Sequence, residues 1–154
     1  MALEIERKFL VDPDGAWRAA PCTRYRQGYL STDKERTVRV RTIGEQGYLT
    51  IKGVTRGASR LEYEYPIPGA DAEQLLSQLC QKPLIEKDRY RLEHQGLVWE
   101  VDEFFGDNQG LILAEVELQS EDQALVLPAW VRAEVTDDAR YYNANLIEHP
   151  YSAW

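Results

Sequence analysis

The feature that most restricts this chain is a period-two alternation with charged residues on one face of each segment and apolar residues on the other. Residues 2–11 set Glu4, Glu6 and Lys8 against Leu3, Ile5 and Phe9. Residues 36–43 set Arg39 and Arg41 against Val38 and Val40, and residues 47–53 set Thr50 and Lys52 against Leu49 and Ile51. Glu62 and Glu64 alternate with Leu61, Tyr63 and Tyr65 over 60–67; Lys87, Arg89 and Arg91 alternate with Asp88, Tyr90 and Leu92 over 84–93. Glu100 and Asp102 recur over 97–105, and Glu115 and Glu117 over 111–118. With the run 23–31, which carries Tyr25 and Tyr29, this predicts eight strands. Hairpin-length turns such as Gln95-Gly96, or one helix, join them, so successive strands should be antiparallel. Ala72, Leu75, Leu76, Leu79 and Cys80 form one apolar stripe, which predicts a helix over 71–81 opened by Asp71. A second helix is expected over 137–147, after a short apolar piece around Trp130 to Val135.

A sheet of eight strands curls or closes to dispose of its edges. Closure turns the charged faces either to solvent, as around a small apolar lumen, or into the lumen. The signs are sorted by strand, carboxylate pairs on some and bases on others, whereas a solvated face mixes signs within a strand. Burying so many charges is tolerable only if they pair or bind ions, so the inward reading implies a functional load. The expected fold is mainly β (α+β): a closed eight-stranded antiparallel β-barrel tunnel with a charged interior and flanking helices, as one domain over residues 1–154. Clustered carboxylates bind hard divalent cations through oxygen. Clustered Arg and Lys bind phosphate. A phosphate chain with metal ions satisfies both sets.

Other classes are excluded on composition. Against 18 Lys and Arg stand 26 Asp and Glu, a formal charge of −8 that disfavours a nucleic-acid partner. No apolar run is long enough for a membrane helix. A porin is disfavoured because Arg7, Glu86, Asp88 and Glu103 interrupt the apolar faces. The opening residues are too charged for a secretory signal, and Cys22 and Cys80 have no CxxC partner, so a cytoplasmic protein is expected. His94 and His149 have no spaced partners, and Trp17, Trp130 and Trp154 lie outside the expected strands; none is assigned chemistry.

Glu4-Ile5-Glu6-Arg7-Lys8 resembles the ExExK signature of the CYTH superfamily, the triphosphate tunnel metalloenzymes. The resemblance continues in order through Arg39-Val40-Arg41, Lys52, Glu62-Tyr63-Glu64, Lys87-Asp88-Arg89-Tyr90, Glu100-Val101-Asp102 and Glu115-Val116-Glu117. Glu134-Val135-Thr136 and Arg140-Tyr141 with Asn143 resemble its C-terminal segment. It implies an eight-stranded tunnel acting on triphosphates, and the short chain is most similar to the compact bacterial inorganic triphosphatases. Within the family the alternatives are a class IV adenylate cyclase and a thiamine or nucleoside triphosphatase; outside enzymes, a non-catalytic polyphosphate-binding module.

The expected reaction is metal-dependent hydrolysis of a terminal phosphoanhydride, with Mg²⁺ or Mn²⁺ and a small triphosphate substrate. Glu4, Glu6 and Glu117 are the expected metal ligands, with Glu115 orienting water or sharing a second ion. Arg39, Arg41, Lys52, Lys87 and Arg89 are the expected phosphate ligands. Lys8 joins them as a phosphate ligand at the reacting centre, since carboxylate neighbours oppose its use as a base. Glu62, Glu64, Glu100 and Asp102 are expected to hold the bases or a second metal. Neither a nucleic-acid nor a membrane partner is expected, and oligomeric state, a homodimer included, stays open.

Overall fold

The computed structural model describes residues 3–154. The strands are β1 (Leu3–Val11), β2 (Cys22–Ser31), β3 (Arg36–Ile43), β4 (Gln46–Gly53), β5 (Ser59–Ile67), β6 (Ile85–His94), β7 (Leu97–Phe104), β8 (Ile112–Glu117) and β9 (Val131–Glu134). Eight of them follow the order β5-β4-β3-β2-β6-β7-β8-β1, all antiparallel, and β1 returns to β5 through Leu3↔Leu61, Glu4↔Arg60 and Ile5↔Ser59. That last pairing closes the barrel. The two-residue turn into β7 has positive φ at both Gln95 (53°) and Gly96 (78°), the backbone twist that a tight hairpin requires.

The ninth strand was not anticipated as one. β9 is four residues long and pairs with the C-terminal half of β1, on the edge whose other half β5 occupies. Arg7, which faces outward, is held there by Glu134 in a two-point contact (2.8 and 2.6 Å).

Apolar faces point outward; those of β1, β3, β7 and β8 are largely covered, while Leu61, Tyr63 and Tyr65 of β5 stay exposed. Phe9, Trp99, Val101, Ala114 and Val116 are buried beneath Trp17, from the 3₁₀ turn Ala16–Ala19, and Trp130. Trp17 and Trp130 are therefore structural. On the other side α1 (Gly69–Gln78) lays Ala72 and Leu76 over Val40. The helix begins two residues before the expected start, with Asp71 in its first turn and Pro68 at the cap. Pro is suited to a helix start because its missing N–H would have had no partner.

The expected helix over 137–147 is not continuous. It divides into a 3₁₀ turn at Ala139–Tyr141 and the short helix α2 (Asn145–Glu148). Local side chains compete for the backbone there: Asp138 accepts from Arg140 N (3.1 Å), and Asn145 Nδ2 donates to Ala139 O (2.8 Å). Tyr141, Leu146 and Ile147 from this segment pack against Ile85, Phe104 and Leu113, whose side chains share the parity of the inward charges. One end of the lumen is thus plugged by apolar side chains, and the charged interior is confined to the rest. No described helix is long and apolar enough to cross a membrane.

Candidate active site

Inward side chains line a cavity of about 900 Å³ inside the barrel. Thirteen of the fourteen expected site residues lie in its wall. The other, Asp102, sits behind the wall, fully buried, as the counter-ion of Arg89 and Lys87. Arg91 reaches the cavity but is exposed and forms no ion pair among the described residues, because it projects beyond the enclosed part of β6.

Ion pairing across adjacent strands fixes much of the interior. Lys52 Nζ lies 3.0 Å from Glu4 and 3.1 Å from Glu62, its cross-strand partner. Lys8 Nζ lies 3.1 Å from Glu6 and 2.9 Å from Glu115, which β8 places opposite it. Arg89 forks onto both oxygens of Asp102 at 2.7 and 2.8 Å and approaches Glu100 at 3.4 Å and Glu115 at 3.8 Å. Arg39 reaches Glu64 at 3.4 Å and Thr50 Oγ1 at 3.2 Å.

The pairing is uneven, and this divides the tunnel into two walls. Among the described residues Glu117 is the one expected site carboxylate without an ion pair. Its pKa is raised by partial burial and then by the carboxylates of Glu4, Glu62, Glu6 and Glu100. Glu6 is raised as well, by burial and by Glu115, with Lys8 opposing. On the positive wall, Arg41 meets no carboxylate among the described residues: Gln27 accepts from its Nε at 3.0 Å, and its guanidinium lies 4.9 Å from the Tyr25 ring centre. Burial, then Arg39 and Arg89, pull Arg41 down to about 9. Lys87 is pulled down to about 7 by burial, against the attraction of Asp102. Arg39 Nε is buried with no hydrogen-bond partner among the described residues. Cations short of anions thus face carboxylates short of cations.

Protonation follows from these contacts. Burial opposes the charge on Lys8, but Glu115 and Glu6 outweigh it and hold the ammonium well above its ordinary range. Lys8 is a fixed cation, as the sequence implies. Burial likewise opposes ionisation of Glu115 and Asp102; Lys8 and Arg89 keep Glu115 well below the carboxylate range, and Arg89 and Lys87 bring Asp102 to about 2.

Three contributors were missed by sequence reasoning. Arg60 lies 3.3 Å from Glu4 and lines the cavity. It shares the parity of Glu62 and Glu64, so the alternation already contained it. Gln27 and Asn143 carry no charge; Asn143 entered only through the resemblance of the C-terminal segment, without a role, and Gln27 gave no signal. Tyr25 lies against two guanidiniums, Arg41 and Arg89, each at 4.9 Å, so a face available to a nucleobase is already engaged.

Comparison with known proteins agrees with this architecture. The model of the CYTH domain family matches residues 2–151. The chain belongs to the CYTH domain family. Among CYTH relatives, an inorganic triphosphatase of Acetivibrio thermocellus is 50% identical over 151 residues, covering 98% of this chain and 97% of that protein. An inorganic triphosphatase of Nitrosomonas europaea is 42% identical over 149 residues, covering 93% and 95% respectively. A crystal structure described as the inorganic triphosphatase NE1496 superposes with a TM-score of 0.65 at 37% identity, covering 94% of this chain and 97% of that one. A putative adenylyl cyclase from Hippeastrum shares the fold at 13% identity and a TM-score of 0.58, covering 78% and 80%.

Proposed function

We propose that this CYTH protein hydrolyses a terminal phosphoanhydride bond of inorganic tripolyphosphate inside the barrel. The observation that carries the reading is the division of one cavity into a wall with unneutralised cations and a wall with an unneutralised carboxylate. A triphosphate complements the first wall and a divalent cation the second. The inorganic triphosphatases at 50% and 42% identity, covered nearly end to end, support the same reaction.

The donor chemistry fits a hard divalent ion, Mg²⁺ or Mn²⁺, because every candidate ligand is a carboxylate and repulsion among those carboxylates favours a cation. Among the described residues no three such side chains converge as a ready-made cage, since all but Glu117 are drawn to a base. Glu117, Glu6 and Glu4 would hold the ion, with Glu115 beside them. When bound, it neutralises phosphate oxygens and lowers the pKa of water.

The rest is done by the chain's own residues. Arg39, Arg41, Lys87 and Arg89 bind the phosphate oxygens and stabilise charge on the group being transferred. Lys8 and Lys52 sit between the two walls and extend that clamp towards Glu4 and Glu6. Glu115, firmly ionised, orients the attacking water as an acceptor. Glu62, Glu64, Glu100 and Asp102 hold the bases in place.

Orthophosphate release from tripolyphosphate should require Mg²⁺ or Mn²⁺, with a higher kcat/KM than for ATP and no cyclic AMP formed. Comparable efficiency with ATP, or a cyclic product, would replace this reading with the nucleotide one. Glu117→Gln should lower kcat by roughly a hundredfold or more. It should leave the melting temperature unchanged or higher, because removing that charge strands no cation and relieves repulsion. Near-normal turnover of that variant would exclude Glu117 from the cation site.

A further inference from the structure

Two neutral amides lie at the centre of the positive wall, and the reaction described above uses neither. Gln27, fully buried in β2, is in register with Arg41 on one side and Ile85 on the other. Asn143 comes from the C-terminal segment, between the 3₁₀ turn and α2, and reaches the cavity. Arg41 Nε donates to Gln27 Oε1 at 3.0 Å. Gln27 Nε2 donates to Asn143 Oδ1 at 2.9 Å, and Lys87 Nζ donates to that same oxygen at 2.9 Å. Guanidinium and ammonium groups only donate, so the two cations fix the orientation of both amides.

Other tunnel cations are held by carboxylates alone, as at Lys8 and Lys52, whereas Arg41 has Gln27, and Lys87 adds Asn143 to the carboxylate of Asp102 that it shares with Arg89. A carboxylate at residue 27 or 143 could hold Arg41 or Lys87 equally well, but it would also cancel charge intended for phosphate. An amide supplies the hydrogen bond and leaves the formal charge intact. Asn143 is delivered by a segment whose Tyr141, Leu146 and Ile147 are buried in the apolar plug. The same segment thus supplies both the plug and the Asn143 amide.

We propose that Gln27 and Asn143 are positioning residues, a charge-neutral bracket that holds Arg41 and Lys87 for phosphate oxygens without neutralising them and makes the anion site depend on the seated C-terminal segment. This rests on the phosphate-binding reading given above.

Asn143→Asp is the discriminating variant. Asn143 Nδ2 donates no hydrogen bond among the described residues, so exchanging it for oxygen keeps both contacts of Oδ1 and adds only negative charge. The ligand-free variant should melt at the wild-type temperature or higher. Its KM for inorganic tripolyphosphate with Mg²⁺ should rise roughly tenfold or more, with a much smaller change in kcat. Asn143→Ala, which removes the acceptor, should raise KM and also lower the melting temperature. A residue that only packs the plug would behave differently: the Ala variant would be destabilised and the Asp variant would bind normally. An unchanged KM in Asn143→Asp overturns the bracket. Wild-type turnover, measured in the same series, separates the two claims. Its absence overturns the phosphate reading itself, whereas normal wild-type turnover with an unaffected Asp variant overturns the bracket alone.

Discussion

Arg41 and Arg89 are both buried tunnel arginines from strands with the same alternation, yet their partners give them opposite energetic roles. Arg89 carries the two-point contact to Asp102, so Arg89→Met leaves a fully buried carboxylate with Lys87 as its remaining partner. Breaking a buried pair on one side costs about 3–5 kcal/mol, and the melting temperature of the empty protein should fall accordingly. Arg41→Met strands no carboxylate and should leave melting unchanged or raise it, while weakening tripolyphosphate binding. Equal melting of the two variants would contradict this division. Lys87 gives a pH signature. Its folded pKa is about 7 against 10.5 for an ordinary lysine, so between those values the unfolded chain holds a proton that the folded chain has lost. Stability from this group therefore rises as pH increases across that window and is absent below it. An anion favours the charged form, so tripolyphosphate binding near pH 7–8 should take up a proton, read calorimetrically in buffers of different ionisation enthalpy. Buffer-independent heats would rule this out. The charged residues at this scale were legible because a charge on an alternating strand has only two faces to choose between. Gln27 was not, because one neutral amide between Tyr25 and Tyr29 leaves no imprint on a charge pattern.

Among the elements, α1 and the C-terminal segment sit on opposite sides of the question of function. α1 covers the outside of β3 and β4, with Leu76 fully buried against Val40, and lies apart from the cavity wall. Leu76→Ala should cost about 2–5 kcal/mol of stability by leaving a void, with kcat and KM unchanged at temperatures where the protein stays folded. A marked rise in KM would mean that the barrel wall transmits the defect to the arginines of β3. The C-terminal segment instead enters the site through Asn143. Trp154, given no role by sequence, packs edge-on to Tyr141 at 5.0 Å and Tyr151 at 5.1 Å, with Arg140 over its ring, and so anchors that segment. Eight strands were readable because each repeats its pattern for several residues. β9 was not, since four residues paired with half of one edge barely establish a period. The failed helix over 137–147 has a local cause: Asp138 and Asn145 offer the backbone hydrogen bonds that compete with a continuous helix.

For the molecule as a whole, closing the barrel gathers the surplus positive and surplus negative walls into one lumen while the outer surface stays acidic. The whole-chain charge of −8 is therefore a poor guide to what the protein binds. What the alternation disclosed was the sorting of sign by strand; what it could not disclose was the unequal pairing, which depends on register and stagger around the closed sheet. That inequality sets how ligands should stabilise the protein. A cation alone relieves the repulsion around Glu117, Glu6 and Glu4 but leaves Arg41 without a carboxylate partner among the described residues and Lys87 sharing Asp102 with Arg89. A triphosphate alone neutralises the arginine wall but brings its own negative charge towards Glu117. Bound together, each ligand removes the penalty the other incurs, and ligands that bind only the folded state raise stability by mass action. The melting temperature should therefore rise more with Mg²⁺ and a non-hydrolysable imido analogue of tripolyphosphate together than the sum of the shifts with either alone. Glu117→Gln should reduce that excess while retaining the shift with the analogue alone. Strictly additive shifts in the wild type would mean that the two walls bind independently, and the single-cavity account of the site would fail.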